Sequence, residues 1–181
     1  MVIRLLLLLC IAASWPARAS GVDLLSLAFR GHVWDEKVLG KEQPQPFDEY
    51  DLMATLRLPW EGKSWASWDV NTRLLGSVGL LRGASDNALV VSAIPAVAVV
   101  HRDMRLAFEF GAGLAFLSKH DFPAQDYGGN VQFALTFGVS MPVYQRLGLG
   151  YRFMHYSDAG AYGRHTIGAD FHMLELVYYF R

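Results

Sequence analysis

The sequence has a single cysteine. It also lacks an apolar run long enough to cross a membrane as a helix. Cys10 lies in the N-terminal apolar run, so disulfides and thiolate chemistry are excluded from the rest of the chain. The longest later candidate, residues 88–100, falls short of the roughly 20 apolar residues that a span needs, and it contains Pro95. There is no basic excess either, with 16 Lys and Arg against 17 Asp and Glu, which argues against a nucleic-acid partner. His165 and His172 belong to no set with metal-ligand spacing, so neither a metal nor another cofactor is predicted.

The N-terminus has the pattern of a secretory signal peptide. A basic residue precedes the apolar run 5–15, and the tripeptide Ala-Arg-Ala follows it. This pattern predicts a signal peptide over residues 1–19, cut between Ala19 and Ser20. An uncleaved anchor is the alternative, and the short run disfavours it. The remaining residues, 20–181, are one domain in size, with 14 basic and 17 acidic side chains and a net charge near −3.

Apolar residues make up 52% of the chain without forming long runs, and they recur with the period of β-strands. Eight strands are predicted, over residues 22–33, 48–60, 65–82, 88–101, 106–118, 130–143, 147–158 and 170–180. Their connections alternate in length. The longer ones are predicted at 34–47, 83–87, 119–129 and 159–169, and the short ones are EGKS, RDMR and VYQR.

One face of these strands is apolar, and the other carries Arg, Asp, Glu and several glycines. In a soluble sandwich or a lipocalin-like binder the apolar face would be the core. In an outer-membrane barrel it would meet lipid, and the charges would pair inside a lumen that side chains just fill. The even strand number, the alternating loops and the aromatic C-terminal strand favour the second reading. The predicted fold class is therefore all-β, an eight-stranded antiparallel transmembrane β-barrel, with a bulge or local opening at Pro95.

The stretch YRFMHYSDAG ends the seventh predicted strand and carries the candidate chemistry. His155 and Ser157 are two residues apart, so they share a face with Tyr151 and Phe153. With a periplasmic N-terminus, this strand ends at the extracellular rim, and parity turns both side chains toward the lipid. A histidine can activate a serine as a nucleophile when a carboxylate orients its ring. Asp170, at the start of the eighth strand, has the matching outward parity.

Two other carboxylates compete for this role. Asp158 follows Ser157 directly, but in an extended strand it points the other way, so it is the alternative acid. Glu175 has the parity of a lumen residue and is predicted to pair with a lumen arginine.

The stretch YRFMHYSDAG, followed by IGADFHMLELVYYF, resembles the C-terminal signature of the lipid A 3-O-deacylase (PagL) family. The resemblance implies a small outer-membrane barrel of eight strands with a Ser-His-Glu triad on its outer face. His155 and Ser157 match that signature directly, and Asp170 stands where the family often has Glu. Gly160 matches the glycine after the serine, whose region helps to form the oxyanion hole.

The chain departs from the family at two positions that bear on activity. Asp158 and Thr166 stand where the family usually has Asn, and the second of these is thought to help hold the oxyanion. The resemblance implies a serine esterase that removes an ester-linked acyl chain from lipid A, with lipopolysaccharide of the outer leaflet as its partner. A non-enzymatic structural or surface barrel is the alternative. Acyl-chain preference and oligomeric state, a homodimer included, stay open.

Overall fold

The computed structural model describes residues 21–34, 36–39, 44–163 and 166–180. Its ten strands are β1 (Asp23–Trp34), β2 (Phe47–Glu61), β3 (Trp68–Gly83), β4 (Asp86–His101), β5 (Ala107–Leu117), β6 (Asp121–Phe122), β7 (Gln125–Asp126), β8 (Val131–Tyr144), β9 (Leu147–Ser157) and β10 (Ala169–Tyr179). Within these ranges, no helix is long and apolar enough to cross a membrane. The predicted signal peptide, its cleavage site and His165 lie outside the described residues.

Eight of the strands form one closed antiparallel barrel, in the order β1-β10-β9-β8-β5-β4-β3-β2. The first and last strands pair, with Ser26 opposite Tyr179, so the sheet closes on itself. The other two strands, β6 and β7, form a small hairpin inside the loop predicted at 119–129. The predicted all-β, eight-stranded barrel is therefore confirmed, and each predicted strand ends within three residues of its observed bounds.

One predicted connection is wrong. Residues 83–87 were expected to form one of the longer loops, but β3 and β4 pair up to Gly83 and Asp86. Only two residues remain in the turn, and the first, Ala84, has a φ of 52°. A two-residue hairpin turn favours such left-handed backbone, because it matches the twist of the strands. The pairing between β3 and β4 thus extends to Gly83 and Asp86, although glycine and aspartate are residue types typical of loops.

The inner face of the barrel is filled by paired charges. The lumen pairs among the described residues include Arg30–Asp51, Arg73–Glu109, Arg152–Glu109 and Arg152–Glu175. Arg152 is fully buried, and its Nε donates to Glu175 Oε1 at 2.5 Å, which confirms the pairing predicted for Glu175. Gly138 makes room for this guanidinium, since a Cβ there would lie 2.6 Å from Arg152 Cζ. Pairing of this kind is required because an isolated buried charge is costly.

The outer wall is apolar. Along β8, the odd-numbered residues from Val131 to Leu135 are exposed, and the even-numbered ones from Gln132 to Thr136 are buried. The same alternation leaves large apolar side chains exposed around the barrel. They include Phe29, Leu52, Leu89, Phe110, Leu149 and Leu176. An apolar surface of this extent is typical of a barrel whose outside meets lipid.

Pro95 interrupts pairing on one side of its strand only. It is opposite Leu74 in β3, where the register is continuous. Toward β5, the paired residues resume at Ala96 after Ala93 without a shift in register. The predicted irregularity is thus a local opening rather than a bulge, because proline has no N–H to donate to the ladder.

Candidate active site

The candidate site lies where β9 ends and β10 begins. Asp170 is directly opposite His155 in the ladder between these strands. Directly opposite residues have Cβ atoms about 4.5–5.5 Å apart, which is close enough for their side chains to bond. His155 Nδ1 and Asp170 Oδ1 are 2.5 Å apart, and both residues are buried. The structure therefore brings together the histidine and the carboxylate that parity selected.

Both candidate catalytic residues of β9 lie on the outer wall. His155 is opposite Leu135 and Ser157 is opposite Phe133 in the ladder with β8. Those two neighbours are exposed apolar residues, 44% and 49% accessible, so this face is the outside of the barrel. Ser157 itself is half-buried. A serine and a histidine at this position can meet a substrate that lies against the wall.

The serine and the histidine are not yet bonded to each other. Among the described residues, His155 is bonded to Asp170, and no hydrogen bond joins it to the Ser157 hydroxyl. Catalytic hydrogen bonds are often long without substrate and tighten in the reacting complex. Because Asp170 faces Nδ1, the other ring nitrogen, Nε2, is the one left for Ser157.

Gly168 packs against this pair, and the sequence pattern assigned it no role. A Cβ on Gly168 would lie 3.2 Å from His155 Cε1, 3.2 Å from Ser157 Cβ and 2.5 Å from the Tyr156 carbonyl oxygen. Only glycine fits so close an approach of the chain to the neighbouring strand. The available signal was a glycine just before the carboxylate of the last strand.

The alternative acid, Asp158, is used in the turn after β9. Its carboxylate accepts hydrogen bonds from the backbone N–H groups of Gly160 at 3.0 Å and Tyr162 at 2.9 Å. Burial raises the pKa of Asp158, but these two N–H groups and the Thr166 hydroxyl lower it, and the net shift is downward. Asp158 is therefore an ionised turn-forming residue, and His155 has its bond to a different carboxylate.

The turn after β9 also contains the Gly160 amide, which belongs to the predicted oxyanion region. Ala159 and Gly160 both have left-handed backbone, with φ of 50° and 83°. The Gly160 N–H donates to Asp158, so in the conformation described it is not free to bind an oxyanion. An oxyanion role for this region requires another amide of the turn or a small rearrangement of it.

Part of the first loop lies against the site on the outside of the barrel. The backbone N–H groups of Val38 and Leu39 donate to Asp170 Oδ2 at 2.7 and 2.6 Å. The Glu36 carbonyl is 2.7 Å from His172 Nε2, two residues further along β10. These contacts have no sequence signature, because every residue except proline has a backbone N–H. Among the residues that the structure describes, no group of three or more His, Cys, Asp or Glu side chains is placed to bind a metal.

A trough of about 690 Å³ lies on the outer wall, and its lining includes Leu135, the residue opposite His155. Its lining includes Phe153, Leu135, Phe110, Ala112, Pro95 and Val97. Leu135 is opposite His155 on one side and Ala112 on the other, so the trough continues the row of the histidine across β8 and β5. Ala112 is small among large neighbours, which leaves an apolar depression suited to a hydrocarbon chain.

The barrel is closed, has eight strands and has an apolar outer wall, and it carries a serine, a histidine and a carboxylate at one rim. These features are those of the small outer-membrane barrel enzymes. The chain belongs to the lipid A 3-O-deacylase (PagL) family, whose model matches residues 48–179. The resemblance noted in the sequence is thereby confirmed. The protein is a carboxylic ester hydrolase, and the non-enzymatic alternative is set aside.

The solved structures include one of the same fold. The crystal structure of the outer membrane enzyme PagL matches with a TM-score of 0.69 at 16% sequence identity. The match covers 84% of this chain and 98% of that chain, so it extends over nearly the whole of that barrel. None of the curated proteins matches the sequence.

Proposed function

We propose that this protein is a serine esterase that hydrolyses the ester-linked acyl chain at the 3-O position of lipid A. Ser157 is the nucleophile, His155 the general base and Asp170 the residue that orients His155. The observation that carries this proposal is the 2.5 Å bond between His155 and Asp170 on the outer wall, beside Ser157. Family membership supports the substrate class.

The first half of the reaction forms an acyl-enzyme. The N–H at Nδ1 of His155 donates a hydrogen bond to Asp170, which fixes the tautomer whose Nε2 lone pair is available to Ser157. Nε2 takes the Ser157 proton as Oγ attacks the ester carbonyl carbon. The tetrahedral intermediate then collapses, the bond from the carbonyl carbon to the sugar oxygen breaks, and Nε2 returns the proton to that oxygen.

The second half releases the fatty acid. Water attacks the acyl-enzyme and gives a proton to His155 Nε2, and the bond to Ser157 Oγ breaks as the serine recovers its proton. Backbone amides near Gly160 stabilise the oxyanion, and losing one such donor costs about 10²–10³ in rate. Thr166 stands where the family usually has the Asn that helps to hold the oxyanion, so the backbone has the larger share of this task.

The proposed mechanism also requires that lipid A can reach the site. The site lies at the extracellular rim and faces the outer leaflet, so that lipid A reaches it by lateral diffusion in the membrane. The apolar trough beside His155 takes the acyl chain, and the sugar lies near the head-group level above Ser157. Exposed Leu135 and Phe133 flank the two residues and keep water away from the ester.

The test is the mass of lipid A before and after exposure to the enzyme. Purified protein in detergent is incubated with lipid A, and loss of one 3-O acyl chain is followed by mass spectrometry. Ser157→Ala is expected to leave lipid A intact. Ser67→Ala, a serine in the β2–β3 connection, is the matched control and is expected to deacylate normally. Unchanged lipid A with wild-type protein would contradict the proposed function.

A further inference from the structure

A short segment of the first loop lies flat on the outer wall beside the candidate site. This segment, residues 36–39, is called the strap below. It makes three hydrogen bonds to β10, two to Asp170 and one to His172. Asp170 is only 6% exposed and His172 5% exposed, although both belong to the outer face of the barrel. The strap is part of what covers them.

The two carboxylate oxygens of Asp170 have separate partners. Oδ1 is bonded to His155 Nδ1 at 2.5 Å, and Oδ2 accepts both strap amides, at 2.7 Å from Val38 N and 2.6 Å from Leu39 N. A carboxylate that can rotate exchanges its oxygens, whereas two N–H donors on one oxygen hold the group in a single orientation. Hydrogen bonds to an ionised group are also the stronger kind.

The surroundings of Asp170 make these donors important. An ionised carboxylate on an apolar wall has little water to solvate it, and leaving it without donors is costly. The strap supplies two donors from the backbone, and a backbone N–H does not titrate as a side-chain donor can. The side chains of Val38 and Leu39 point outward instead, 58% and 41% exposed, as the apolar wall requires.

The strap has its own anchor on the wall. The Glu36 carbonyl accepts from His172 Nε2 at 2.7 Å, and the Tyr151 hydroxyl is hydrogen-bonded to Nδ1 of the same ring at 2.6 Å. The ring of Trp34 stacks on His172, with centroids 5.2 Å apart. His172 thus connects the start of the strap to the same strand that carries Asp170.

We propose that the strap is a positioning element for the catalytic acid: its Val38 and Leu39 amides hold Asp170 toward His155, and His172 holds the strap. The inference rests on the proposed function, because it assigns a role to a segment that acts through Asp170. It applies to the amides and not to the side chains of the strap. Both positioning amides are backbone groups, so the residue types at 38 and 39 do not reveal them in the sequence.

Proline and alanine substitutions separate the amide from the side chain. Val38→Pro and Leu39→Pro each remove one N–H, whereas Val38→Ala and Leu39→Ala keep it and remove most of the apolar side chain. Each proline variant is expected to lower kcat at least about tenfold with KM unchanged, since a hydrogen bond to a charged group is worth that much or more. At each position the alanine variant is expected to have a kcat at least about tenfold above that of the proline variant, because it keeps the N–H that Asp170 accepts. Deacylation of lipid A in detergent micelles, over a range of substrate concentrations, supplies both constants.

A double-mutant cycle decides whether the strap acts through Asp170. In an Asp170→Asn background the acid is already lost, so Val38→Pro and Leu39→Pro are expected to cause no further fall in the residual turnover. A segment that merely supports the barrel would lower turnover by the same factor in both backgrounds. That additive outcome, or a proline variant with wild-type kcat, would overturn the proposal.

A second variant keeps the test decisive if the proline variants fail to fold. His172→Phe retains a ring beside Trp34 and loses both hydrogen bonds, and it is expected to lower kcat in the wild-type background only. Folding of every variant is checked by the shift of the barrel on electrophoresis with and without heating. Full turnover in Asp170→Asn alone would instead contradict the proposed function, so the two failures are distinguishable.

Discussion

Gly168→Ala places one methyl group between the two strands of the candidate site. The new Cβ would lie 2.5 Å from the Tyr156 carbonyl oxygen, where ordinary contact begins near 3.4 Å, so the chains must separate by about 0.9 Å. His155 and Ser157 lie 3.2 Å from the same Cβ and would move with the strand. A misplacement of about 1 Å costs on the order of 10²-fold in rate. We therefore expect turnover to fall by about that factor, measured as the initial rate of acyl release from lipid A.

The matched control is Gly76→Ala in β3. A Cβ there would meet only the Ser92 carbonyl oxygen, at 4.0 Å, so turnover and the thermal unfolding temperature are both expected to stay at wild-type values. Wild-type turnover in Gly168→Ala would refute the idea that this close approach sets the geometry of His155 and Ser157. An equal loss in both variants would show instead that a glycine in the barrel wall acts through general packing.

Three further predictions concern the site and its orientation. Ser157→Ala and His155→Ala are each expected to abolish deacylation while the barrel still folds, and the double variant is expected to be little worse, because the residues act as a unit; wild-type turnover in Ser157→Ala would remove the nucleophile from the scheme. Asp158→Asn is expected to change turnover little. Because the pKa of Asp158 is lowered on folding, its support of the turn is present above the ordinary Asp pKa near 3.9 and is lost as pH falls through the lower folded value; proteolysis of the turn should increase on acidification in the wild type and depend less on pH in the variant. Gly160→Cys is expected to react with an impermeant thiol reagent on intact cells and Gln145→Cys is not, and the reverse pattern would invert the topology.

The barrel could be predicted because its chemistry repeats with a period of two. Apolar residues on one face and charges with glycines on the other are enough to count strands, as along β8, where exposure alternates from Val131 to Leu135. The turn at Ala84 and the β6–β7 hairpin could not be predicted in the same way. Loop-forming residue types are compatible with both a tight turn and a longer connection, and pairing with a distant strand decides between them.

The candidate site also has a part that the sequence predicts and a part that it does not. Parity within β9 and β10 selected His155, Ser157 and Asp170, because side-chain direction in a strand follows from position alone. The turn that occupies Asp158 and the Gly160 amide depends on two left-handed residues that the sequence pattern did not reveal. Adjacency to Ser157 makes Asp158 the alternative acid and the family resemblance assigns Gly160 to the oxyanion region, and neither carries information about this turn.

The sequence by itself determined the strand pattern, the outward face and the residues proposed as base, nucleophile and acid. Only the tertiary structure decided which backbone groups surround them. Gly168 meets Tyr156 across two strands, and the amides of Val38 and Leu39 reach Asp170 from more than 130 positions away in the chain. Side-chain identity is written in the sequence, whereas backbone donors and close approaches are the same for almost every residue. Their place is set by closure of the barrel and by the path of the loop outside it.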